Sequence, residues 1–531
     1  MCGIFALLGN LKINNKIETS FNKGKERGPE YSKLKQVTDN IIFGFHRLAI
    51  NGLDTGSHQP LAINNIELIC NGEIYNYKEL YELMNITSET HSDCEVIIHL
   101  YKRYGIDQTI EMLDGVFAFI LYDKDTSEIY VARDLYGVRP LFYGVRPLFY
   151  GYSNNECNYG FASELKMIHH LFEKCYVFKP GIYSYYKDEC YQYSIDYFKG
   201  YVINYSLKDR HNILSLIRNT LIEAVRKRID TSDRPIACLL SGGLDSSLIT
   251  SLVSKYYPSL QTYSIGLEGS EDLKYAKQVS EYLNTTHNEI IVSEEDFLNV
   301  IPEVIKMIES YDTTSIRASV GNYLVAKYIK EHSDAKVIFN GDGSDEITGG
   351  YLYFHKAPDS IEFDKECKRL LSNIHLFDVL RSDRCIAAHG LEARTPFLDK
   401  SFVTTYLSIP SHIRNHNNNK VMEKNLLRNA FIGYLPNKVL FRKKEAFSDG
   451  VSKQTRSWFQ IIQEYIETLN IDNGINYEFN CPQTKEQYYY RYIFEKHYSN
   501  RSHIIPYFWM PKYVNATDAS ARTLDIYKNV K

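Results

Sequence analysis

Ile236-Ala-Cys-Leu-Leu-Ser-Gly-Gly-Leu-Asp-Ser-Ser247 decides the fold of the larger part of this chain. An apolar run at Ile236 to Leu240 reads as a buried strand, and the Ser/Gly turn after it leads into a second apolar segment with helical length. Glycines at 242 and 243 let the backbone wrap closely around an anion. The hydroxyls of Ser241 and Ser246 can donate to it, and a helix N-terminus adds a favourable dipole. The loop is not of the GxxxxGK[ST] type, because the lysine is missing. A generic Ser/Gly turn is the plain alternative.

Working outward, the stretch after about Asp209 alternates helix and strand. A helix is expected at Ile213 to Arg228, and short apolar strands at Thr262 to Gly266 and Lys336 to Asn340, each strand followed by a Gly/Ser/Asp turn. That rhythm predicts a parallel sheet flanked by helices, with ligands at the carboxyl ends of the strands. The second such turn, Asn340-Gly-Asp-Gly-Ser-Asp-Glu346, is open to three readings: a solvated turn, a magnesium site, or a place to position an amine. Further on, Arg442-Lys-Lys-Glu-Ala-Phe-Ser-Asp-Gly450 carries Lys444, a lysine able to neutralise phosphate charge as it develops.

The first 200 residues have a different texture. Strands are expected at Ile41 to Ile50, Glu67 to Asn71, Val116 to Asp123 and Glu128 to Arg133. The clearest helix is Asp93 to Tyr104, with Ile97, Leu100, Tyr101 and Tyr104 on one stripe and Ser92 as cap. The domain boundary is expected between Phe198 and His211, giving domains 2–200 and 211–531. Gly137-Val-Arg-Pro-Leu-Phe-Tyr143 recurs unchanged as Gly144 to Tyr150. Seven residues is too short for a solenoid repeat. An odd insertion flips strand faces unless it bulges out.

Cys2 directly follows Met1. Removal of Met1 would give Cys2 a free α-amine beside its own thiol, so that one residue supplies nucleophile and base. Cys2 alone is equally an ordinary penultimate residue. Asn71 and Gly72 offer an amide and a backbone N–H for an oxyanion. Arg47 can pair with an α-carboxylate, and Glu73 and Asp93 can face an α-ammonium. Singly these charges read as solvated surface. Together with Cys2 they fit a zwitterionic amino acid carrying a side-chain amide.

Composition sets the outer bounds. The chain has 531 residues, 44% hydrophobic and 24% charged, with net charge −4; the length points to two or three domains and the charge argues against a dedicated nucleic-acid binder. The longest apolar runs are strand-sized, so no membrane span is expected. No secretory signal is evident, and the ten cysteines form no CxxC pair. A reducing cytoplasm is therefore the expected location. The sequon at Asn515 carries no weight without secretion.

MCGIFALLG, HRLAI, NGEIYNY and SDCEV, in this order, resemble the class II glutamine amidotransferases of the N-terminal nucleophile hydrolase fold, an αββα sandwich, over roughly the first 190 residues. The resemblance implies that Cys2 attacks a glutamine amide, that Asn71 and Gly72 form the oxyanion hole, and that Arg47, Glu73 and Asp93 hold the glutamine. Ser-Gly-Gly-x-Asp-Ser at Ser241 resembles the pyrophosphate loop of ATP pyrophosphatases. Over nearly the whole chain, including Trp509 to Asp518 and Ser520 to Leu524, the blocks resemble glutamine-using asparagine synthetases.

That resemblance implies an α/β two-domain protein with ATP at Leu240, Ser241, Gly242, Gly243, Asp245, Ser246, Ile265, Asn340 and Gly341. It places Mg2+ near Asp245 and Asp345, and Lys444 at an adenylation centre. Expected partners are the small molecules glutamine, aspartate and ATP, with no nucleic acid or membrane, and a homodimer is an allowed assembly. The family usually has Ser-Gly-Glu-Gly-Ser-Asp-Glu where this chain has Asn340-Gly-Asp342. Asp342 thus stands, one methylene shorter, for a glutamate that helps deprotonate ammonia. The family also carries one copy of the Gly-x-Arg-Pro segment. Two alternatives stand beside this reading: an amide-forming relative acting on another acid, such as a β-lactam synthetase, whose kind tend to lack the N-terminal cysteine, and a catalytically idle regulatory or binding protein that keeps the fold.

Overall fold

The computed structural model describes residues 1–145, 159–417, 420–471 and 474–524. The chain divides into two compact units. The first holds Met1–Lys199 with Thr231–Arg234 and Ala387–Glu392, and the second holds the remainder. Division at a single point in the chain does not foresee the two short returns.

In the first unit, strands β1 (Gly3–Leu8), β2 (Tyr31–Thr38), β3 (Ile41–Arg47), β4 (Leu61–Ile63), β5 (Ile66–Ile74), β6 (Gly115–Asp123), β7 (Glu128–Arg133), β8 (Phe142–Val145), β9 (Tyr159–Ala162), β10 (Lys174–Val177), β11 (Ile182–Lys187) and β12 (Cys190–Asp196) form two sheets. Their orders are β10-β8-β9-β1-β3-β2 and β12-β11-β7-β6-β5-β4. β6 shows why these sequences read as continuous apolar runs. Ala118 and Ile120 pack with Ile4, Phe43 and Phe45 of the other sheet. The alternate residues Phe117, Phe119 and Leu121 pack with Ile97, Leu100 and Ile110 of the helix Val96–Met112. Both faces are buried, so the usual polar alternation is lost. On the outer face of the first sheet, Phe21 of the helix Asn15–Asn22 meets Phe5, with ring centroids 5.9 Å apart.

Several boundaries differ from expectation: β5 runs on to Ile74 rather than ending at Asn71, and the helix expected from Asp93 to Tyr104 spans Val96–Met112. β3 ends at Arg47 rather than Ile50, because the chain leaves the sheet there and the carbonyls of the following loop turn back onto the Arg47 guanidinium. In the helix after Ser92, Ile97, Leu100 and Tyr101 are buried as expected, but Tyr104 is 44% exposed. Gly105, at φ 78°, interrupts the helical path one residue later and breaks the stripe. Ser92 does accept the Cys94 N–H at 3.3 Å.

The tandem repeat resolves unequally. The first copy is built into the unit: Asp134 accepts the N–H groups of Tyr136, Val138 and Arg139. β8 then crosses the junction, taking Phe142 and Tyr143 from the first copy and Gly144 and Val145 from the second, and pairs with β9 and β10. The rest of the second copy lies outside the described residues.

β13 (Ile236–Leu239), β14 (Gln261–Leu267), β15 (Thr286–Val292), β16 (Val337–Phe339) and β17 (Glu392–Arg394) form a sheet in the order β15-β14-β13-β16-β17, all of it in the second unit except Glu392, the first residue of β17. β13 runs parallel to β14 and β16, and β14 parallel to β15. The helix expected at 213–228 runs from Arg210 to Asp230. β13 feeds the helix Leu244–Tyr256 and β14 the helix Glu271–Leu283. Because the strands are parallel and in register, the turns after β13 and β16 leave the sheet side by side.

Candidate active sites

In the first unit, Cys2 stands just before β1 and Asn71 lies on β5, so the two facing sheets bring them together. The Cys2 backbone N–H donates to Asn71 Oδ1 at 3.1 Å, and Cys2 Sγ lies 3.6 Å from the Leu48 carbonyl oxygen. Asn71 Nδ2 is buried and has no hydrogen-bond partner. A donor in that condition costs about 1–3 kcal/mol unless something accepts from it. Gly72 is enforced by packing, since a Cβ there would sit 2.7 Å from the Val116 carbonyl oxygen. Arg27 Nε donates to the Cys2 carbonyl at 2.9 Å and fixes the Cys2 backbone from the other side.

With Met1 attached, burial pushes the Cys2 thiol up to about 11, against the nearby positive terminus and the Leu48 contact. Burial likewise pulls the Met1 α-amine down to about 6. The thiol in this state is a poor nucleophile, because the thiolate is the reactive form.

The remaining expected residues sit close by but are already engaged. Arg47 donates to the Asp54 carbonyl at 2.8 Å and the Asn51 carbonyl at 3.3 Å, contacts the Gly52 carbonyl, and meets His58 Nδ1 at 2.7 Å. Glu73 accepts from Asn51 Nδ2 at 2.7 Å, and Asp93 accepts the Ile74 N–H at 2.7 Å. Arg47 and Glu73 thus both shape the 51–54 loop, which borders a cavity of about 440 Å3 lined by Gly52, Leu53, Asp54, Tyr77, His91 and Ser92. Cys2 and Asn71 are not in its wall.

In the second unit, the turns after β13 and β16 interlock. A Cβ on Gly341 would lie 2.7 Å from the Asp245 carbonyl carbon and the Ser246 nitrogen, so only glycine permits the approach. Ser241 and Ser246 hydroxyls are 2.9 Å apart, and Ser344 Oγ donates to Asp245 Oδ1 at 2.8 Å. A cavity of about 190 Å3 opens over them, with Ser241, Asp245, Ile265, Gly341, Asp345 and Lys444 in its wall. Every residue expected here from sequence borders it except Gly242. That glycine, at φ +70°, instead abuts the helix Glu271–Leu283, where a Cβ would come within 2.4 Å of the Ala276 nitrogen.

Lys424, which no local pattern singles out, lies at the centre. Its Nζ is 2.6 Å from Asp245 and 2.7 Å from Asp345, while Lys444 reaches Asp345 at 2.6 Å and Asp245 at 4.0 Å. Burial alone would raise the Asp345 carboxyl; the two lysines overcome it and hold it well below the usual carboxylate range. Burial works against the Lys444 ammonium too, yet Asp345 and Asp245 hold it well above its ordinary value. Asp342 goes the other way. Its burial pushes the carboxyl up to about 6, with Asp378 adding to the rise and Arg381, at 2.8 Å, opposing it. Asn340 is anchored by Ser382 at 2.7 Å.

Two carboxylates converging on one point form a cation site, filled here by an ammonium. Mg2+ held through one or two carboxylates plus substrate phosphates fits such a donor pair. Among the described residues no cluster of three or more His, Cys, Asp or Glu makes a ready-built metal cage.

Comparison with known proteins matches the family described as Asparagine synthase to residues 216–365 and 359–516, and the Glutamine amidotransferase domain to residues 1–201. The asparagine synthetase [glutamine-hydrolyzing] of Gallus gallus is 44% identical over 568 aligned positions, covering 100% of this chain and 99% of that protein. This chain belongs to the glutamine-hydrolysing asparagine synthetase family. Proteins of the same name from Cricetulus griseus and Homo sapiens are 42% and 41% identical, again over 100% of this chain and 99% of theirs. Membership spans both units.

Proposed function

We propose that this protein makes asparagine from aspartate, ATP and glutamine-derived ammonia through a β-aspartyl-AMP intermediate, releasing glutamate, AMP and pyrophosphate. What carries the reading is full-length kinship: the chain spans 99% of the Gallus gallus relative at 44% identity. Residues 2–200 serve as the glutaminase, in an N-terminal nucleophile hydrolase fold, and 211–531 as the synthetase, in an ATP pyrophosphatase fold. The helix–sheet–sheet–helix layering and the parallel sheet support these assignments. No described helix is long and apolar enough to cross a membrane. We place the protein in the cytoplasm, with a homodimer as an allowed assembly.

Once Met1 is removed, the Cys2 nitrogen that now donates to Asn71 becomes an amine beside the thiol. That amine takes the thiol proton, sulfur attacks the glutamine amide carbon, and the oxyanion is met by Asn71 Nδ2 and the Gly72 N–H. Collapse expels ammonia and leaves a glutamyl thioester, which water hydrolyses. Arg47, Glu73 and Asp93 orient the glutamine, directly or by shaping the 51–54 loop. Asn71→Ala should lower glutamine turnover by about 100- to 1,000-fold, the usual cost of one lost oxyanion donor. A steady-state glutaminase assay checks this.

In the second unit, Leu240, Tyr263, Ile265 and Val325 give the cavity an apolar wall suited to adenine, and Lys424 and Lys444 give it positive charge suited to phosphates. Magnesium, held through Asp245 and Asp345, would neutralise phosphate charge. The aspartate side-chain carboxylate attacks the α-phosphorus, and Lys444 and Lys424 balance the charge that builds as pyrophosphate leaves. Ammonia then attacks the acyl carbon and AMP departs with its bonding electrons. Asp342, as a carboxylate, accepts the proton that the incoming ammonia sheds.

The raised Asp342 value gives a sign to the pH dependence. Only the ionised form accepts a proton, so at fixed free ammonia the ammonia-dependent rate should fall roughly tenfold per pH unit below about 6. Asparagine formation across a pH series with ammonium adjusted to constant free ammonia measures this. Adenylation itself is tested with aspartate labelled by heavy oxygen in its side-chain carboxylate. One label per turnover should appear in AMP. Unlabelled AMP would rule the intermediate out.

A further inference from the structure

The helix Glu271–Leu283 touches both walls of the synthetase cavity. On one side Tyr275 and Ala276 back Gly242 of the Ser/Gly loop, at distances that a Cβ could not share. On the other, Asp272 in the first turn pairs with Arg442 at 3.1 Å, both side chains being buried, and the Arg442 guanidinium lies 4.0 Å over the Tyr275 ring. Ser270 caps this helix by accepting the Leu273 N–H, which fixes where its first turn begins.

Arg442 opens the segment that carries Lys444, and Gly450 closes it. Asp272 meets both ends, since a Cβ on Gly450 would fall 2.4 Å from each of its carboxylate oxygens. Beyond Gly450, the Leu267 N–H donates to the Val451 carbonyl at 2.9 Å and stitches the segment to the end of β14. The loop that binds phosphate and the loop that presents Lys444 are thus both registered against one helical turn.

We propose that Asp272 and Arg442 are positioning residues of the adenylation site, fixing Lys444 relative to the Ser/Gly phosphate loop through the first turn of the helix Glu271–Leu283. This rests on the synthetase reading above. Asp272 touches no substrate. It acts through Arg442 on the aim of the Lys444 ammonium, whose benefit is greatest when pyrophosphate charge develops. Misplacement of a reacting group by about 1 Å can cost on the order of 100-fold in rate.

Asp272→Asn removes the charge and keeps the shape. The purified full-length variant should release pyrophosphate from ATP and aspartate about 100-fold more slowly, with kcat changed more than KM for ATP, and hydrolyse glutamine at the wild-type rate. Arg442→Lys should show the same loss, because lysine lacks the planar fork and the stacking. The decisive comparison uses a Lys444→Gln background. There Asp272→Asn should add no further loss, since the group it aims is gone. Should Asp272→Asn not fold, Arg442→Lys and its double variant with Lys444→Gln carry the same comparison.

Wild-type pyrophosphate release in both single variants, or losses that multiply in the double variant, would overturn the proposal. A wild-type chain that itself releases no pyrophosphate would instead bring down the synthetase reading, and the proposal with it.

Discussion

In Cys2→Ala, asparagine synthesis from glutamine falls to background while synthesis from added ammonium salts continues at the wild-type rate. The first half follows from the chemistry of the acyl transfer: without Sγ there is no thioester and no released ammonia, and alanine supplies no other nucleophile. The second half follows from the separation of the two constellations. The Cys2 to Asn71 contact lies in the first unit, whereas the cavity holding Asp245, Asp345, Lys424 and Lys444 lies wholly in the second. Parallel assays with glutamine and with ammonium chloride, scored for asparagine, check the expectation. Loss of both activities together would show that the half-reactions cannot be assigned to separate residues.

The second large effect is expected at Asp245. Its carboxylate receives Lys424 at 2.8 and 2.6 Å and Ser344 at 2.8 Å. Asp245 is half-buried, and its removal takes one of two carboxylates from the buried Lys424 ammonium. Lys424 keeps Asp345, so its own loss is partial, but the point where the two carboxylates converge is destroyed. Losing one preorganised electrostatic group from a transition state costs up to about 4 kcal/mol, which corresponds to about a thousandfold in rate. Asp245→Ala should therefore reduce pyrophosphate release from ATP and aspartate by about that factor while glutamine hydrolysis persists. Glutaminase loss with intact pyrophosphate release in this variant would contradict the assignment of the two half-sites.

What could be read from sequence followed physical rules of limited range. Apolar runs bounded by turns located β6, β7, β13, β14 and β16 to within a residue or two, because buried strands leave a local mark. β15 went unread. It lies at the sheet margin with none of its residues fully buried, Thr286, Glu289 and Ile291 being exposed, so its apolar stretch is only Ile290 to Val292 after a polar first half. Glycine-rich turns named most of the cavity wall; Gly242, named with them, lies outside that wall, and its positive φ brings it against a helix.

Lys424 shows the opposite limit. It is 179 residues from Asp245, in a segment without distinctive spacing, and only the fold brings it to the carboxylates. The C-terminal tail, noted in sequence only as a resemblance, has physical work to do. Asp518 pairs with Arg317 at 2.7 Å, Ser520 Oγ donates to Asp449 at 2.8 Å, and Arg522 approaches Glu445 at 3.4 Å. It thus braces the Lys444 segment from its far end.

Transfer of nitrogen from glutamine to an adenylated carboxylate is tested most directly by supplying glutamine labelled with heavy nitrogen in its side-chain amide, together with aspartate and Mg-ATP. The label should appear in the side-chain amide of asparagine, with glutamate, AMP and pyrophosphate formed in equal amounts. Unlabelled asparagine, or ADP and orthophosphate in place of AMP and pyrophosphate, would contradict it.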